Sequence, residues 1–326
     1  MTIPPRAMIL AAGFGTRLGA LSRQMPKPML PICGVPLVRW CVLWLHAQGV
    51  REIVINLHHK GEAIEADLGD GSQLGVQISY SKETTILGTG GGLRQARSLL
   101  DDGSDRPILV LNGKLMFELA LDPLIEQHNV SGAEATMVLR RDTEGIWGSG
   151  FGLDDMGRVT TFLGRAKRQL AAPELMFTGI QLISPRFLRR IPATGASCIV
   201  RTAYAELFEE TQSLFGYRHG AYWWEHSTVD RYLHGIRNVL DGRIQLPFAP
   251  FGTRGVHRQA RVHTSAVIRD PVWIGPRAEV QRDATVGPHV QLGAGSRVKA
   301  GCHIRNTAVW DRATVTASIH DEVVTR

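Results

Sequence analysis

The chain has 326 residues, 44% of them hydrophobic and 21% charged, which suits two globular domains with a sizeable core each and excludes a disordered or fibrous chain. Its net charge of +7 raises the question of nucleic acid. Residues 251–326, however, hold 11 Lys and Arg against 6 Asp and Glu, so most of the excess lies on the tail, spread singly and without the interleaved aromatics of a base-stacking platform. A solvated basic face that helps attract anionic substrates is the expected meaning. No run of about 18 apolar residues is present to cross a membrane, and the start MTIPPRAM lacks the apolar core of a signal peptide. A soluble, cytoplasmic protein is expected. Cys33, Cys41, Cys198 and Cys302 show no Cys-x-x-Cys or His-rich spacing, so reduced thiols are expected, with neither a disulfide framework nor a zinc site.

A short apolar run, Met8 to Leu10, leads into LAAGFGTRLGALSRQMPKPMLP, residues 10–31. Glycines at 13 and 15 let the backbone approach a polyanion, and Arg17 and Lys27 offset charge during phosphoryl chemistry. This is not a Walker A loop, because no Gly-Lys-Ser/Thr closes it. Residues 36–48 read as a helix stopped by Gly49. REIVINL (51–57) reads as a strand, and the alternation suggests parallel βαβ units. YSKETTILGTGGGLRQARSLL (80–100) carries a second glycine-rich loop, Gly88 to Gly92, ahead of a helix pattern with Leu93, Ala96, Leu99 and Leu100. Such a loop presents backbone N–H groups and a helix N-terminus to an anion or a base edge. A tight turn with a packed helix is the plainer alternative.

PILVL (107–111) is a buried-strand run that continues into Asn112-Gly113-Lys114. In a parallel sheet the C-terminal strand ends face the ligand crevice, which makes position 114 a site position. ATMVLRR (135–141) is a further strand, and FGLDDMGRVTTF (151–162) a hairpin with Gly157-Arg158 near its turn. FTGIQLISP (177–185) and YWWEHSTVDRYL (222–233) complete this part of the chain.

The opening string resembles the signature of the nucleotidyltransferases that make nucleoside-diphosphate sugars from a sugar 1-phosphate and a nucleoside triphosphate, which is close to LAAGxGTRLxPLTxxxPKPMLP. The resemblance puts Arg17 and Lys27 on the phosphate-binding cations, and Leu10, Ala11, Gly13, Gly15 and Thr16 against the nucleotide. It implies the same for the LGTxGG loop, here Gly88, Thr89, Gly90 and Gly91. Thr178 and Gly179 fall on a Thr-Gly pair that lines the sugar pocket. Where many members read Glu-Lys-Pro, this chain has Gly164-Arg165-Ala166-Lys167, and Arg165 or Lys167 is a candidate for the phosphate, as much as a solvated loop cation.

Two positions bear on the metal. The family reads Asn-Gly-Asp where this chain reads Asn112-Gly113-Lys114, and that Asp is a magnesium ligand. It also commonly reads YWxDxGTPERYL, which puts Glu225 on the second metal-binding Asp. A lysine ammonium cannot ligate a cation. Mg²⁺ is therefore held through Glu225 with help from phosphates and water, or Lys114 replaces it as a point charge, or Lys114 and Glu225 pair with each other. Neither Glu118 as a substitute carboxylate nor His226 as a base is assigned a role.

From Val262 the period changes. Val262, Ile268, Ile274, Val280, Val286, Leu292, Val298 and Ile304 recur every six residues, each preceded at two positions by a small or apolar residue. A strict hexad fits neither a helix nor a long strand but a left-handed parallel β-helix, with glycines 275, 287, 293 and 301 at corners. The expected architecture is a doubly wound, mostly parallel α/β nucleotidyltransferase domain over residues 1–245, followed by the β-helix over 246–326. The expected reaction is nucleotidyl transfer from a nucleoside triphosphate to a sugar 1-phosphate, with Arg17, Lys27 and Lys114 as the catalytic cations. Its rivals are a non-catalytic nucleotide-sugar-binding regulatory subunit, motivated by Lys114, and a bifunctional enzyme whose tail transfers acyl groups through His289 or His303. Partners beyond the substrates are expected to exclude nucleic acid and membrane, with a homo-oligomer formed through or onto the β-helix.

Overall fold

In a computed structural model that describes residues 5–166, 174–250 and 252–325, the apolar run Arg6–Leu10 (β1) lies at the centre of a ten-stranded sheet. It pairs in parallel with Glu52–Leu57 (β2) on one side and Ile108–Asn112 (β4) on the other, and Gln77–Lys82 (β3) extends the parallel part beyond β2. Buried on both faces, β1, β2 and β4 read as continuous apolar runs, as parallel strands do. Their registers put Leu10 opposite both Asn56 and Asn112, so three strands finish level at their C-terminal ends.

The rest of the sheet is antiparallel or mixed. Leu175–Ile183 (β9) runs antiparallel to β4 and to Ala135–Arg141 (β6), while Leu214–Arg218 (β10) pairs with β6 in parallel. Phe151–Leu153 (β7) and Val159–Phe162 (β8) form the antiparallel pair expected around Gly157. The expected helix is present as Leu37–Ala47 (α1), and Gly49 ends it with φ of 82°. Gly88–Gln95 (α2) forms as the glycine-rich segment. Among the described residues no helix is long and apolar enough to cross a membrane.

The chain divides into two compact units. The first comprises residues 1–14, 41–113 and 119–223, and the second residues 15–40, 114–118 and 224–326. The first is built on the sheet, with Met8, Leu93, Val110, Met137, Phe187 and Leu207 among its buried side chains. The second contains the hexad repeat, which folds as three parallel sheets in a β-helix. Val262, Val280 and Val298 stack one above another, as do Ile268, Val286 and Ile304, so every third hexad meets on one face. The inward column is dry: Val272, Val286, Val290, Leu292 and Val298 are fully buried, each contributing roughly 1.5–3 kcal/mol of apolar burial. The coil then shortens. Val298 pairs with Val315, and Ile304 with Ile319, which reduces the 18-residue repeat to 17 and then 15.

One outward column of the β-helix is not exposed. Trp273, Gln291 and Ala308 stack on one sheet and are buried, because the hairpin of Pro31–Ile32 with Val35–Pro36 and the helix Val229–Leu240 (α3) belong to the same unit. Gln291 accepts the Cys33 N–H at 2.9 Å and donates to Pro31 O at 2.8 Å and to Tyr232 Oη at 3.2 Å. Tyr232 donates to the same Pro31 oxygen at 2.6 Å and accepts Trp310 Nε1 at 3.2 Å. Each buried polar atom of the glutamine thus has a partner. At one corner of the same β-helix, His289 Nε2 lies 2.7 Å from Asp241 Oδ1, so the first of the two histidines considered for acyl transfer is engaged in a structural hydrogen bond. The second, His303, is exposed on a strand paired on both sides within its sheet, its backbone N–H bonded to Ser318 Oγ at 2.9 Å.

Replacing Gln291 by Leu leaves the buried Cys33 N–H without its acceptor and is expected to cost about 1–3 kcal/mol, read as a lowered urea midpoint. Arg297→Ala, which removes an exposed pair with Glu279 at 3.1 Å, is expected to cost under about 1 kcal/mol. Equal effects of the two variants would refute the assignment of Gln291 as the internal anchor.

Candidate active site

In the first unit, the level strand ends become a loop platform. Ala11 N donates to Asn56 Oδ1 at 2.8 Å, Asn56 Nδ2 donates to Glu83 Oε1 at 2.7 Å, and Glu83 Oε2 accepts Leu87 N at 2.9 Å. Both Asn56 and Glu83 are buried. This relay ties the loop after β1 to the residue that precedes α2, and Gly113 N closes the other side by donating to Leu10 O at 3.0 Å. Sequence reasoning missed both residues. The signal for Asn56 was available, as a polar residue ending an otherwise apolar strand. Glu83 had none, since its partner lies 27 positions away and is set by sheet register.

The glycines of this unit differ in what requires them. At Gly88, with φ of +70°, an added Cβ would stand 2.6 Å from Ser197 O. Ser197 O also accepts Gly90 N at 2.9 Å, and Thr89 Oγ1 accepts Ile199 N at 3.0 Å. Packing under residues 195–199 therefore accounts for much of the glycine run, and the Gly90 N–H is already engaged. Gly13 is the opposite case. A Cβ there would meet nothing within 4 Å, so the fold leaves that backbone open to a ligand.

Thr178 and Gly179 lie on β9 beside the end of β4. Gly179 has φ of +79°, and a Cβ on it would collide with the Asn112 amide. The Thr178 hydroxyl points inward: it donates to Val138 O at 2.7 Å and accepts Ile180 N at 3.2 Å, and its side chain is buried. That hydroxyl is an internal anchor and does not present itself to a sugar. Its backbone oxygen accepts Trp223 Nε1 at 3.0 Å, and the Trp223 ring packs edge-on against Trp147 at 4.9 Å with the Arg140 guanidinium over its face at 5.6 Å. Arg165 is exposed on an edge strand, and Lys167 lies outside the described residues.

In the second unit, Arg17, Lys27, Lys114 and Glu225 gather. Lys114 immediately precedes the short strand Leu115–Phe117 (β5), which pairs with Trp223–Glu225 (β11). The strand pair brings Lys114 Nζ to 2.9 Å from Glu225 Oε2, and Arg17 Nη2 lies 3.6 Å from Glu225 Oε1. Arg17 comes from the 3₁₀ turn Thr16–Leu18, which follows the left-handed Gly15, and Thr16 beside it is exposed. Lys27 is buried in the turn Lys27–Met29. Burial opposes ionisation of Glu225, yet Lys114, a Ser227 hydrogen bond and Lys27 outweigh it and hold the carboxyl below the usual range. Lys27 is pulled down to about 8 by burial first, then by its neighbours Lys114 and Arg17, with Glu225 opposing. Glu118 is turned to another task, accepting the Gln245 N–H.

His226 is fully buried, and both its backbone N–H (3.2 Å) and its Nδ1 (3.0 Å) bond to Lys114 O. It fixes the backbone from which Lys114 extends. Burial lowers its pKa to about 4, so the ring is neutral at pH 7. His128, buried against Thr136 Oγ1 at 2.9 Å, is likewise lowered to about 4. An unfolded histidine takes its proton near 6.5 and these do not, so stability is full above pH 6.5 and falls as pH drops toward 4, by up to about 3 kcal/mol for each. Urea denaturation at pH 7.5 and pH 5 reads this slope, and His128→Asn is expected to flatten part of it. Unchanged stability at the two pH values would contradict it.

A profile of the nucleotidyl transferase family matches residues 6–190. A mannose-1-phosphate guanylyltransferase of Mycobacterium tuberculosis is 29% identical over 304 residues, covering 91% of this chain and 82% of that protein. A probable mannose-1-phosphate guanylyltransferase of Oryza sativa is 32% identical, covering 95% of this chain and 87% of its own. The UTP–glucose-1-phosphate uridylyltransferase of Synechocystis is 26% identical, covering 94% and 83%. A crystal structure of a putative glucose-1-phosphate thymidylyltransferase from Bacillus anthracis superposes with a TM-score of 0.62 at 19% identity, over 74% of this chain and 96% of that one, which supports the fold.

Proposed function

This chain belongs to the nucleotidyl transferase family, and from that premise we infer that it transfers the nucleoside monophosphate of a nucleoside triphosphate to a sugar 1-phosphate, giving an NDP-sugar and pyrophosphate. Full-length relatives that act on mannose 1-phosphate and glucose 1-phosphate support the substrate class. The observation that carries the assignment to particular residues is the gathering of Arg17, Lys27 and Lys114 around one carboxylate, Glu225.

The reaction makes modest demands on acid–base groups. An oxygen of the sugar phosphate, already ionised at pH 7, attacks the α-phosphorus in line. The new P–O bond forms as the bond to the β-phosphate oxygen breaks, and pyrophosphate departs with that electron pair. Positioning and charge neutralisation do most of the work. Arg17, Lys27 and Lys114 offset charge that grows on the leaving pyrophosphate. The loop at Leu10, Ala11 and Gly13 and the segment Gly88–Gly91 serve the nucleotide, with Asn56 and Glu83 holding both in place. Gly179 serves the sugar through its backbone, close against the Asn112 amide, and Thr178 supports it from behind. The buried, neutral His226 is a positioning residue.

Enzymes of this family generally use Mg²⁺, so the cluster's fit to that ion matters. Mg²⁺ needs oxygen ligands free to complete an octahedron. Among the described residues no three His, Cys, Asp or Glu side chains gather to hold a metal, and the two oxygens of Glu225 face Lys114 and Arg17. The residues present do not fit a protein-held Mg²⁺, and no step here passes through one.

Pyrophosphate release is expected with at least one pair from a panel led by GTP with mannose 1-phosphate and UTP with glucose 1-phosphate. Absence of turnover on every pair, with tight binding of an NDP-sugar, would refute transfer and favour a regulatory subunit. Since Lys27 carries its charge below about pH 8 and loses it above, kcat/KM is expected to fall on the alkaline side with an apparent pKa near 8. Lys27→Arg keeps a permanent cation and is expected to move that limb beyond pH 10. A limb that stays in place would assign it to another group.

A further inference from the structure

The cluster in the second unit holds three cations and one carboxylate. Lys114 and Arg17 each take one oxygen of Glu225, and Lys27 is buried beside them with both its cationic neighbours and the carboxylate acting on it. With Glu225 ionised, the group carries a net charge of two positive units. Such a group repels a divalent cation and attracts a polyanion, and partial burial strengthens both effects by lowering the local dielectric. The ammonium is not a loose surface charge. His226 makes two hydrogen bonds to the Lys114 carbonyl, and only 23% of the Lys114 side chain and 14% of that of Glu225 are exposed.

We propose that Arg17, Lys27 and Lys114 form a metal-free polyphosphate clamp, in which Glu225 is a resident counter-ion that keeps the cations together until phosphate oxygens take its place. The clamp rests on the transfer reading only for the identity of its polyphosphate. Glu225 here is a competitor of the ligand for the same ammonium and guanidinium, the reverse of a metal ligand that would help recruit it. Any divalent ion that arrives with the nucleotide is carried by the nucleotide's own phosphates. Lys114 supplies a point charge with three donors where a coordinated ion would supply a Lewis acid.

Two measurements without turnover test this. Pyrophosphate binding is followed by calorimetry in excess chelator, and Mn²⁺ binding by electron paramagnetic resonance without nucleotide. The wild-type protein is expected to bind pyrophosphate in chelator, Lys114→Gln to bind it at least tenfold more weakly, and Glu225→Gln to bind it as tightly or more tightly. Mn²⁺ is expected not to bind the wild type at this cluster, whereas Lys114→Asp, which gives the site a second carboxylate, is expected to gain a Mn²⁺ site that Glu225→Gln abolishes in the double variant. Pyrophosphate binding that needs Mg²⁺, weaker binding by Glu225→Gln, or a wild-type Mn²⁺ site lost in Glu225→Gln would each overturn the clamp. Should Lys114→Asp fail to fold, the chelator measurements on wild type, Lys114→Gln and Glu225→Gln decide alone. Metal-free binding without turnover on any substrate pair would sink the transfer reading and leave the clamp standing.

Discussion

The contact between Lys114 Nζ and Glu225 Oε2, at 2.9 Å, is the interaction around which the charged cluster of the second unit is arranged. Taking two opposite charges out of water is costly, and such a pair stabilises only when its geometry is good and its remaining donors and acceptors are engaged. Local structure supplies the geometry. β5 and β11 lie side by side, which sets the spacing of the two backbones, and His226, next in chain after Glu225, returns two hydrogen bonds to the Lys114 carbonyl. Arg17 takes the second carboxylate oxygen. A single carboxylate thereby gathers cations from two distant parts of the chain, Arg17 and Lys27 from the opening stretch and Lys114 from the end of β4, and a guanidinium or an ammonium is a group that a phosphate can bind in its turn.

The β-helix contributes to the same unit in a way that its repeat conceals. Lys27 stands at the start of the turn whose Leu30 N bonds to Lys27 O at 3.1 Å, and the next residue, Pro31, presents the carbonyl gripped by both Tyr232 and Gln291. A glutamine from the repeat and a tyrosine from α3 thus meet on the chain segment that carries the buried Lys27. Trp273, in the same outward column as Gln291, adds apolar contact, since even a methyl group on Gly34 would stand 2.5 Å from its ring. The tail is a prop for the opening motif as well as a separate prism.

Much of this was legible in the chain. The string from Leu10 to Pro31 singled out Arg17 and Lys27, and the structure places both in the cluster around Glu225. The hexad announced the β-helix because its period matches no other regular structure. Apolar runs at 8–10, 51–57 and 107–111 announced a parallel core. What stayed hidden are contacts fixed by register and packing. Asn56 and Glu83 meet because β2 and β3 are neighbours in the sheet. The glycines at 88 and 90 sit under Ser197, more than a hundred residues away, and composition has no means of separating that demand from a ligand's. Thr178 matched a sugar-pocket motif, yet its hydroxyl is spent on Val138 and Ile180; a motif identifies a position, and rotamer and neighbours decide which way the group points. Lys114 was visible as a departure, but its partner was legible only as one of several alternatives.

The shortening of the coil from 18 residues to 17 and then 15 has a consequence for solubility. A stack of identical coils ends in a flat row of unpaired N–H and C=O groups, a template on which a second prism can add end to end. In the final turns the side-chain rows and backbone edges drift out of step with the regular coils below, so an incoming regular coil finds no matching ledge along all three faces at once. The repeat is long enough to bury its own aliphatics and to support the Lys27 segment, and a coil that changes length offers no uniform ledge on which a regular coil could continue.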